Sequence, residues 1–463
     1  MKKFILMAAL CGFLSAAADE YVTAGDGTVY NFDRLASIAA SGVHSTGGMV
    51  YTLTKDVTIA QGDSFAIENM VRANLADGVR LTFKGGARLQ PTMGIVAPVE
   101  NADGTVSAPY GIVIDNDSHP TDISGFIFYD CGLRSMGHCG LNVSNCSFIG
   151  HNGVSGSAAL LMGADGAAFS VRGCYFDGCQ RSAIGGAANY RNSVVIEQCT
   201  FTQNGQANRN APQLNLTVAD SVVVRGCILH GDSAMNQVGG IVVSNLMGFS
   251  GSYTTLIEDC DIRDHRFGVA TYLSQNATLR RNQIVNNRFE QNPMNGGSGI
   301  NVYDPYGQQQ THIEGNRIEG NLWGITIIGG QKVNVGMTGV AADSPDYNPG
   351  QNTFLDNGFD GQVYDLYNNS ANTVYAQGNY WLTATEQSAE AIEQCIYHQA
   401  DDSSLGQVVF SPWGVDPTAV PSLCVDVDSD ARTYTLDGRS GRGYRHGIVL
   451  KRVGGRMKKV VIR

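Results

Sequence analysis

A short phrase returns along most of this chain: an apolar residue, any residue, a second apolar residue, two further residues, an anchor that is Cys or Asn, and an apolar residue two places later. The stretch SVVIEQCTFTQNG at 193–205 is a clear copy. The anchors are Cys146, Cys174, Cys199, Cys227, Cys260, Asn282, Asn316 and Asn379, and all but the last interval measure 22 to 34 residues. Apolar residues two positions apart indicate strands, and a β-rich repeat of this length buries its apolar side only by stacking on its neighbours.

The repeat therefore predicts a parallel β-solenoid in which the anchors stack into a ladder at about 4.8 Å spacing. The long interval from Asn316 to Asn379 predicts one further turn around NTFLDNG. A leucine-rich repeat would need a recurrent Leu framework that this sequence lacks, and a propeller would need four antiparallel strands in a longer repeat. With 57 Gly and only 12 Pro, the composition is typical of tight turns between strands.

The anchor position also bears on the cysteines. In a secreted chain an even set of cysteines normally suggests disulfides. Here Cys174, Cys199, Cys227 and Cys260 occupy one place in successive coils. We therefore expect them to be stacked free thiols that behave as small buried apolar residues, although stacking also brings their sulfur atoms within bonding reach of each other.

Two positions before the anchor, the sign of the charge alternates from coil to coil: Arg172, Glu197, Arg225, Glu258, Arg280, Glu314. In a parallel stack, alternation places opposite charges on neighbouring strands, whereas a uniform column would place like charges together. We interpret this column as an exposed ladder that supports the register, with a few tenths of a kcal/mol for each pair. A strip that binds a glycan is the alternative.

The ends of the array have their own signals. NFDRLASIAASG predicts a short N-terminal helix with Asn31 or Asp33 as its N-cap and Gly42 as its end, followed by strands in MVYTLTKDVTIA and VRLTFKGGARL. Residues 30 to 415 resemble the right-handed parallel β-helix proteins of the pectate-lyase-like superfamily, notably in GNRIEGNLWGITI and GNYW. The resemblance implies an all-β, right-handed parallel β-helix (solenoid) with an N-terminal capping helix. EQSAEAIEQCIYH and GQVVFSPW then form the C-terminal cap as a helix and a closing strand.

The two termini suggest export. MKKFILMAALCGFLSAAADE has the basic start, apolar run and small residues of a signal peptide, residues 1–18. TYTLDGR, GIVLK and GGRMKKVVIR resemble the C-terminal sorting signal of Bacteroidetes type IX secretion substrates, which implies a small C-terminal β tail, the type IX secretion machinery as a partner, and a secreted or cell-surface protein. We expect residues 19–95 to form the N-terminal cap and first coils, 96–415 the helix body with its C-terminal cap, and 416–463 a linker and the sorting signal. No later stretch is long and apolar enough to span a membrane.

The densest group of candidate catalytic residues lies in CDIRDHRFG: Asp261, Arg263, Asp264 and His265. Carboxylates in neighbouring coils suit acid–base chemistry on a glycosidic bond, His265 would relay a proton, and an arginine would meet a sugar carboxylate. Polar residues are ordinary on the outside of such coils, so a structural role is the alternative. No phosphate-binding glycine loop, zinc spacing or nucleophile elbow is present.

Candidate binding residues lie in and after NVYDPYGQQQ, which interrupts the spacing: Tyr303, Asp304, Tyr306 and Trp323. Their aromatic rings would stack on sugars or, alternatively, cover a coil edge. DVDSD at 426–430 is similar to a calcium loop but lacks its Gly and its final Glu, so Ca²⁺ is a possible ligand and no cofactor is predicted.

The net charge of −11 disfavours nucleic acid as a partner. Three functions agree with the sequence. The first is a secreted or surface scaffold that binds or displays carbohydrate, which predicts a groove lined by Asn, Ser, Thr and aromatic residues without clustered acids. The second is a polysaccharide lyase or glycoside hydrolase, which predicts that Asp261, Asp264 and His265 converge with arginine in one groove. The third is an adhesin or structural protein with an exposed apolar patch.

Overall fold

The computed structural model describes residues 19–414, apart from gaps at 117–119, 187–190, 218–219, 246–247, 249–252, 274–275, 291, 293–294, 308–309 and 330–331. It also describes three strands near the C-terminus, at 433–434, 447–453 and 456–462. The predicted signal peptide and DVDSD lie outside the described residues. The chain divides into two units, Met1–Pro417 and Thr418–Arg463.

The first unit is a solenoid of three sheets of 14 strands each, and every coil of the body contributes one strand to each sheet in turn. Sheet 1 is parallel throughout and contains the longest strands of the body, two of which have seven residues. Its strands are Glu20–Val22, Asp56–Ile59, Arg80–Phe83, Gly111–Asp115, Gly132–Met136, Ala158–Met162, Ser182–Gly186, Ala211–Thr217, Val238–Ser244, Val269–Tyr272, Ser298–Tyr303, Trp323–Ile328, Leu366–Asn369 and Ile396–Tyr397.

Sheet 2 follows sheet 1 along each coil and contains the apolar pair of the repeated phrase. Within its strands the residues alternate between buried and exposed, as the period of two requires. Its strands are Val29–Tyr30, Ser64–Ile67, Gly86–Leu89, Thr121–Ser124, Leu141–Ser144, Ala168–Arg172, Ser193–Glu197, Ser221–Arg225, Thr254–Glu258, Ala277–Arg280, Gln310–Glu314, Lys332–Gly336, Val374–Ala376 and Val408–Val409.

Sheet 3 follows the anchor residue and has the shortest strands of the body. It starts with an antiparallel hairpin, and its later pairs are parallel. Its strands are Val43–Gly47, Val50–Leu53, Val71–Leu75, Gly94–Pro98, Phe126–Tyr129, Ser147–Ile149, Tyr175–Asp177, Thr200–Thr202, Ile228–His230, Asp261–Arg263, Gln283–Val285, Arg317–Glu319, Thr353–Leu355 and Tyr380–Trp381. The last two confirm a coil around NTFLDNG and another at GNYW.

Short elements lie near both ends of the array. The helix Phe32–Ala36 has Asn31 as its N-cap, whose Oδ1 accepts a hydrogen bond from the amide of Arg34 at 2.8 Å, and a 3₁₀ turn, Ala39–Ser41, follows it. Phe32 stacks on Tyr51 at 5.1 Å and meets Phe65 edge-on at 5.2 Å. Near the other end lie a hairpin, Gly358–Phe359 with Gln362–Val363, and the helix Ala389–Glu393. That the two helices cap the array stays a prediction.

The second unit contains three antiparallel strands among its described residues: Thr433–Tyr434, Gly447–Val453 and Arg456–Ile462. The sorting signal falls on these strands and on residues outside the described part of the chain. Its role in export stays a prediction.

The core of the solenoid is a set of columns, each made of one side chain from every coil. Phe128, Phe148, Phe176 and Phe201 stack with ring centroids 4.6, 4.7 and 5.1 Å apart. Farther along, Phe354 stacks on Trp381 at 4.5 Å. These columns bury the apolar positions that a single coil would leave exposed, which is why the repeat needs its neighbours.

The anchor column lies at the turn between sheets 2 and 3. Cys174, Cys199, Cys227 and Cys260 are free and buried, which confirms the expectation for these four thiols. From Asn282 onward the anchor is an amide, and Asn282, Asn316, Asn352 and Asn379 are joined Nδ2 to Oδ1 at 3.0, 2.9 and 2.9 Å. Each Oδ1 in this series also accepts the backbone amide of the preceding anchor. A stacked amide thus satisfies buried backbone groups as well as its own.

A second amide column follows sheet 3 and was not recognised in the sequence. Asn287, Asn321 and Asn357 are bonded in the same way, at 3.2 and 3.0 Å between Nδ2 and Oδ1. Asn357 then donates to Oδ1 of Asp365 at 2.9 Å, and Thr383 donates to the same oxygen at 2.9 Å. Asp365 is fully buried, and its Oδ2 has no hydrogen-bond partner within the described part of the chain. Burial raises the pKa of Asp365 to about 7, although the hydrogen bonds from Asn357 and Thr383 oppose the rise.

The alternating charges at the end of sheet 2 lie side by side, as the sequence predicts: Arg172 beside Glu197, then Arg225, Glu258, Arg280 and Glu314. Their ion pairs measure 3.1 Å for Arg172–Glu197 and 3.2 Å for Arg225–Glu197. The ladder is not exposed throughout, however.

Glu258 departs from the expectation of an exposed ladder, because only 3% of its side chain is exposed and three arginines surround it. Its carboxylate lies 2.5 Å from Arg225 Nε, 2.7 Å from Arg280 Nε and 2.7 Å from an Arg281 amino group. Burial alone would raise the pKa of Glu258, but the three guanidinium groups outweigh it and lower the pKa to about 2. Charge-assisted hydrogen bonds in a covered position stabilise more than surface pairs do.

We expect Glu258→Gln to lower the free energy of unfolding at pH 7 by about 1–3 kcal/mol, because it leaves three arginines without their carboxylate. The folded-state pKa lies below the usual value of about 4.3, so the stabilisation is present above pH 4.3 and is lost as the pH falls towards 2. Urea unfolding from pH 7 to pH 2.5 should therefore show the difference between wild type and variant shrinking. Glu319→Gln, at the more exposed pair with Arg317, is the control and should change little. A difference that does not depend on pH would contradict this account.

We expect Arg225→Glu to lower the melting temperature by several degrees at low salt, because it places three carboxylates in succession on neighbouring strands. Salt screens repulsion between partly exposed charges, so the loss should decrease in 1 M NaCl. Arg225→Gln separates lost attraction from added repulsion. An unchanged melting temperature for Arg225→Glu at low salt would show that the ladder does not support the register.

We expect Asp365→Asn to stabilise the protein at pH 8, by up to about 4 kcal/mol. Folding raises the pKa of Asp365, because only the protonated carboxyl group is compatible with burial. The unfolded chain ionises near pH 4 and the folded protein only near pH 7, so stability is lost as the pH rises between these values. The gain from the neutral amide should therefore vanish near pH 4. Thermal unfolding between pH 4 and pH 8 measures it, with the exposed Asp360→Asn as control. A variant less stable than wild type at pH 8 would contradict the buried-acid assignment.

Candidate functional site

A groove of about 760 Å³ lies on the outer face of sheet 1. Because strand residues alternate in direction, two outward columns of side chains form its floor. The first column runs Asn215, Val242, Ala270, Asn301, Thr326, Tyr367, Tyr397, and the second runs Ser244, Tyr272, Tyr303, Ile328, Asn369. The floor thus crosses seven strands, or roughly 29 Å at about 4.8 Å per strand, and the groove follows the axis of the solenoid.

Aromatic side chains dominate the half of the groove nearer the C-terminus. The ring of Trp323 lies 4.5 Å from that of Tyr364 and 5.4 Å from that of Tyr367. Tyr397 meets Tyr367 edge-on at 5.1 Å, and Tyr272 lies 5.1 Å from Tyr303. Rings that are packed against each other are held in position before any ligand arrives, which lowers the entropy lost on binding.

The polar lining consists mainly of amides and hydroxyls. Asn210, Asn215, Asn295, Asn301 and Asn369 line the groove. The Oδ1 of Asn301 is buried and has no hydrogen-bond partner among the described residues. Ser298 and Thr326 share a hydrogen bond of 2.9 Å between their hydroxyls.

Arg266 is the one charged side chain among the described residues that line the groove, and no carboxylate is among them. Its Nη1 donates to Asn210 Oδ1 at 2.7 Å and its Nε to the carbonyl of Asn295 at 2.8 Å. Both partners are neutral. The arginine connects two loops at the groove wall. Because neither partner carries a charge, neither of them neutralises its positive charge.

The structure places two of the four predicted binding residues in this groove. Tyr303 and Trp323 both line it, but they stand on strands of sheet 1, whereas the sequence suggested an inserted loop. Tyr306 is 75% exposed and does not line the groove. Asp304 is buried next to the strand, and its amide donates to the carbonyl of Ile328 at 2.8 Å.

The predicted catalytic residues lie elsewhere. Asp261 and Arg263 stand on sheet 3, where Asp261 accepts hydrogen bonds from Arg263 and lies 3.0 Å from His230 Nε2. Burial alone would raise the pKa of Asp261, but these hydrogen bonds outweigh it and lower the pKa. Asp264 occupies the following turn with a φ of 63° and accepts a hydrogen bond of 2.6 Å from Asn286.

His265 points into the solenoid, where its side chain is 1% exposed. Its Nε2 lies 2.7 Å from Nε2 of Gln213 on sheet 1, and its Nδ1 lies 3.2 Å from Oδ1 of Asn287 in the second amide column, so both ring nitrogens have buried partners. Burial lowers the pKa of His265 to about 3, although the bond to Asn287 opposes it. His265 is therefore a neutral, buried residue with a structural role. It does not reach the surface beside Asp261 and Asp264.

The tyrosines at positions 272, 364, 367 and 397 were not predicted to bind. The repeated phrase is anchored on sheets 2 and 3, so it gave no register for sheet 1, where turns of variable length precede each strand. An alignment of the strands of sheet 1 on their inward apolar residues was the signal that would have found them.

Two further findings concern ligands and membranes. Within the described part of the chain, no group of three or more His, Cys, Asp or Glu side chains is arranged to hold a metal ion. The predicted possibility of Ca²⁺ therefore has no site among them and stays a prediction. The helices in the same part of the chain are too short and too polar to cross a membrane.

Comparison with known proteins supports the fold. The family model described as "Right handed beta helix region" matches residues 110–249 and 246–340. Solved structures of the periplasmic alginate epimerase AlgG are similar: one shares 12% identity over 82% of this chain and 83% of that chain with a TM-score of 0.46. A single-substitution variant of the same enzyme shares 12% identity over 83% of each chain with a TM-score of 0.48. At these values the likeness carries no argument about this chain, and the support for the fold comes from the family model. No curated protein matched the chain.

The family model covers the coils from sheet 1 strand Gly111–Asp115 to the strand Lys332–Gly336, which is where the repeated phrase is clearest. The three parallel sheets extend the same architecture to both sides of the matched region. Sequence and structure together identify the chain as a protein with the parallel β-helix repeat fold.

Proposed function

We propose that this protein is a carbohydrate-binding β-helix scaffold of the cell surface or extracellular space, with its site in the groove on sheet 1. The observation that carries the proposal is the composition of that groove: packed aromatic rings beside amides and hydroxyls, without a carboxylate among its described lining residues. The apolar C–H faces of sugar rings stack on aromatic side chains, and sugar hydroxyls form hydrogen bonds with amides and hydroxyls. A glycan therefore complements both the aromatic and the polar residues of the groove.

The shape of the groove supports a chain as ligand. Its floor repeats from coil to coil, and its aromatic rings come from the strands Val269–Tyr272, Ser298–Tyr303, Trp323–Ile328, Leu366–Asn369 and Ile396–Tyr397. A polysaccharide also repeats, so successive sugars would meet equivalent surfaces. The groove is too long for a single monosaccharide to fill.

The positions of the acids favour binding over turnover. A glycosidase needs two carboxyl groups across the scissile bond, and a lyase needs a base beside the sugar carbon that loses a proton. Asp261 lies on sheet 3 in pairs with Arg263 and His230, and Asp264 is held by Asn286. Neither of them lines the groove.

Binding to a panel of neutral and uronic-acid polysaccharides, with and without Ca²⁺, tests the proposal by affinity electrophoresis and calorimetry. We expect Trp323→Ala to weaken binding about tenfold, because it removes stacking worth about 1.4 kcal/mol. Tyr306→Ala, at an exposed aromatic residue outside the groove, is the control and should bind as wild type does.

The same incubations should be followed for new reducing ends and unsaturated products. Retention of a glycan without turnover is the expected result. Turnover that is lost in the double variant Asp261→Ala, Asp264→Ala would instead establish an enzyme and place its site on sheet 3. Equal loss of binding in Tyr306→Ala and Trp323→Ala would show that the groove is not the binding surface.

A further inference from the structure

A second cavity, of about 500 Å³, adjoins the end of the groove that is nearer the C-terminus, and we call it the end cavity. Its walls come from the hairpin strand Gln362–Val363, the helix Ala389–Glu393 and the strand Ile396–Tyr397. Tyr364 and Tyr397 line both the groove and the end cavity, and their rings meet edge-on with centroids 6.2 Å apart. A chain that follows the groove therefore reaches the end cavity at this pair of rings.

The end cavity differs from the groove in its charge. Glu393 and Asp401 line it, and no arginine or lysine is among its described lining residues. The groove, in contrast, contains Arg266 and no carboxylate among its described lining residues. The two adjoining spaces therefore carry charges of opposite sign.

His398 holds both carboxylates of the end cavity in place without neutralising them. The backbone amide of Val408 donates to His398 Nδ1 at 2.7 Å, so Nδ1 carries no proton and the ring proton is on Nε2. This Nε2 donates to an oxygen of Glu393 at 2.5 Å, and the backbone amide of His398 donates to Asp401 Oδ2 at 3.0 Å. An imidazole with a proton on one nitrogen only is neutral. Both carboxylates are thus positioned, and their negative charges are not balanced by this histidine.

A third acid lies directly behind the lining of the end cavity. Thr383 and Cys395 line the cavity. Thr383 Oγ1 donates to Oδ1 of the buried Asp365 at 2.9 Å, and the amide of Asp365 donates to the carbonyl of Cys395 at 2.8 Å. The Oδ2 of Asp365 has no hydrogen-bond partner within the described part of the chain. A cation in the end cavity would favour the ionised form of this carboxyl group, because a nearby opposite charge stabilises it.

Aromatic rings beside carboxylates complement a sugar that carries a positive charge. The face of the sugar ring stacks on tyrosine, and a protonated amine on the same sugar forms charge-assisted hydrogen bonds with carboxylates. Glu393 and Asp401 would repel a uronic acid, and a neutral sugar would gain no ionic contact with them. Arg266 in turn disfavours an amine within the groove itself.

We propose that the end cavity binds an amino sugar with a free, protonated amine. The ligand is then a glycan in which such a residue follows neutral sugars, with the neutral sugars in the groove and the amino sugar beyond Tyr364 and Tyr397. This assignment of the ligand class rests on the proposed binding of glycans in the groove.

Calorimetry of the full chain with three chitin hexasaccharides tests the proposal at about pH 6, where a free amine is protonated. One hexasaccharide is fully N-acetylated and therefore neutral. The other two each carry one free amine, at the non-reducing or at the reducing end, so that either direction of the chain along the groove is covered. We expect one of the two charged chains to bind about tenfold more tightly than the neutral chain, and this preference should decrease in 1 M NaCl.

The double variant Glu393→Gln, Asp401→Asn should remove the preference and leave the affinity for the neutral chain unchanged. Both new side chains keep an oxygen that accepts the hydrogen bonds of His398, so the melting temperature should stay close to that of wild type. The matched control is Glu386→Gln, Glu390→Gln, which removes two exposed carboxylates that do not line the end cavity. It should keep the preference, since the same change in net charge takes place outside the site.

Equal affinity of the wild type for the charged and neutral chains would overturn the proposal, as would a preference that survives in Glu393→Gln, Asp401→Asn. Binding of other polysaccharides without binding of any chitin chain would overturn it as well. None of these results would overturn glycan binding in the groove, because Trp323→Ala should weaken the binding of every glycan, charged or neutral. Absence of glycan binding by folded wild type would overturn the amino-sugar site and the proposed function together.

Discussion

In-register stacking at the turn between sheets 2 and 3 is the constraint on which the rest of this structure depends. The residue at that turn is buried in every coil of the body, and it must satisfy backbone amides as well as itself. In one part of the array the anchor is a thiol that donates to a carbonyl of the preceding coil, as Cys199 does to Val171 at 3.5 Å. In the next part it is an amide that bonds to its own copies and accepts the backbone amide of the preceding anchor. Every other column takes its register from this one, because a slip of one residue would turn the apolar face of each strand outward.

The groove on sheet 1 follows from that register. Once inward residues are fixed, the alternate residues of the same strands must face outward in columns, and a column of Tyr272 and Tyr303 or of Tyr367 and Tyr397 becomes a continuous surface. The floor of the groove therefore needs no special loop, although loops contribute to its wall. Its rigidity comes from the backbone pairing of sheet 1, while its chemistry comes from residues that the core does not constrain.

The sequence predicted the solenoid, the stacked thiols, the coil around NTFLDNG and the pairing of Arg172 with Glu197, because each depends on a residue type that recurs at fixed spacing. It missed the second amide column, since His265 stands where Asn stands in later coils, and mixed residue types hide a column. It expected Glu258 to be exposed, because a sequence does not show that Arg280 and the next residue, Arg281, both turn back over one carboxylate. Two of its binding candidates, Tyr303 and Trp323, reached the groove, and the remaining rings depended on turn lengths that the pattern does not specify.

The alternating charges on sheet 2 also restrict how such an array can change its length. Loss of any single coil between Arg172 and Glu314 would bring two residues of like charge onto adjacent strands, whereas loss of two consecutive coils would restore the alternation. The same rule applies to duplication. In this part of the molecule, the array should therefore tolerate insertions and deletions in pairs of coils, so that its structural repeat is one coil and its electrostatic repeat is two.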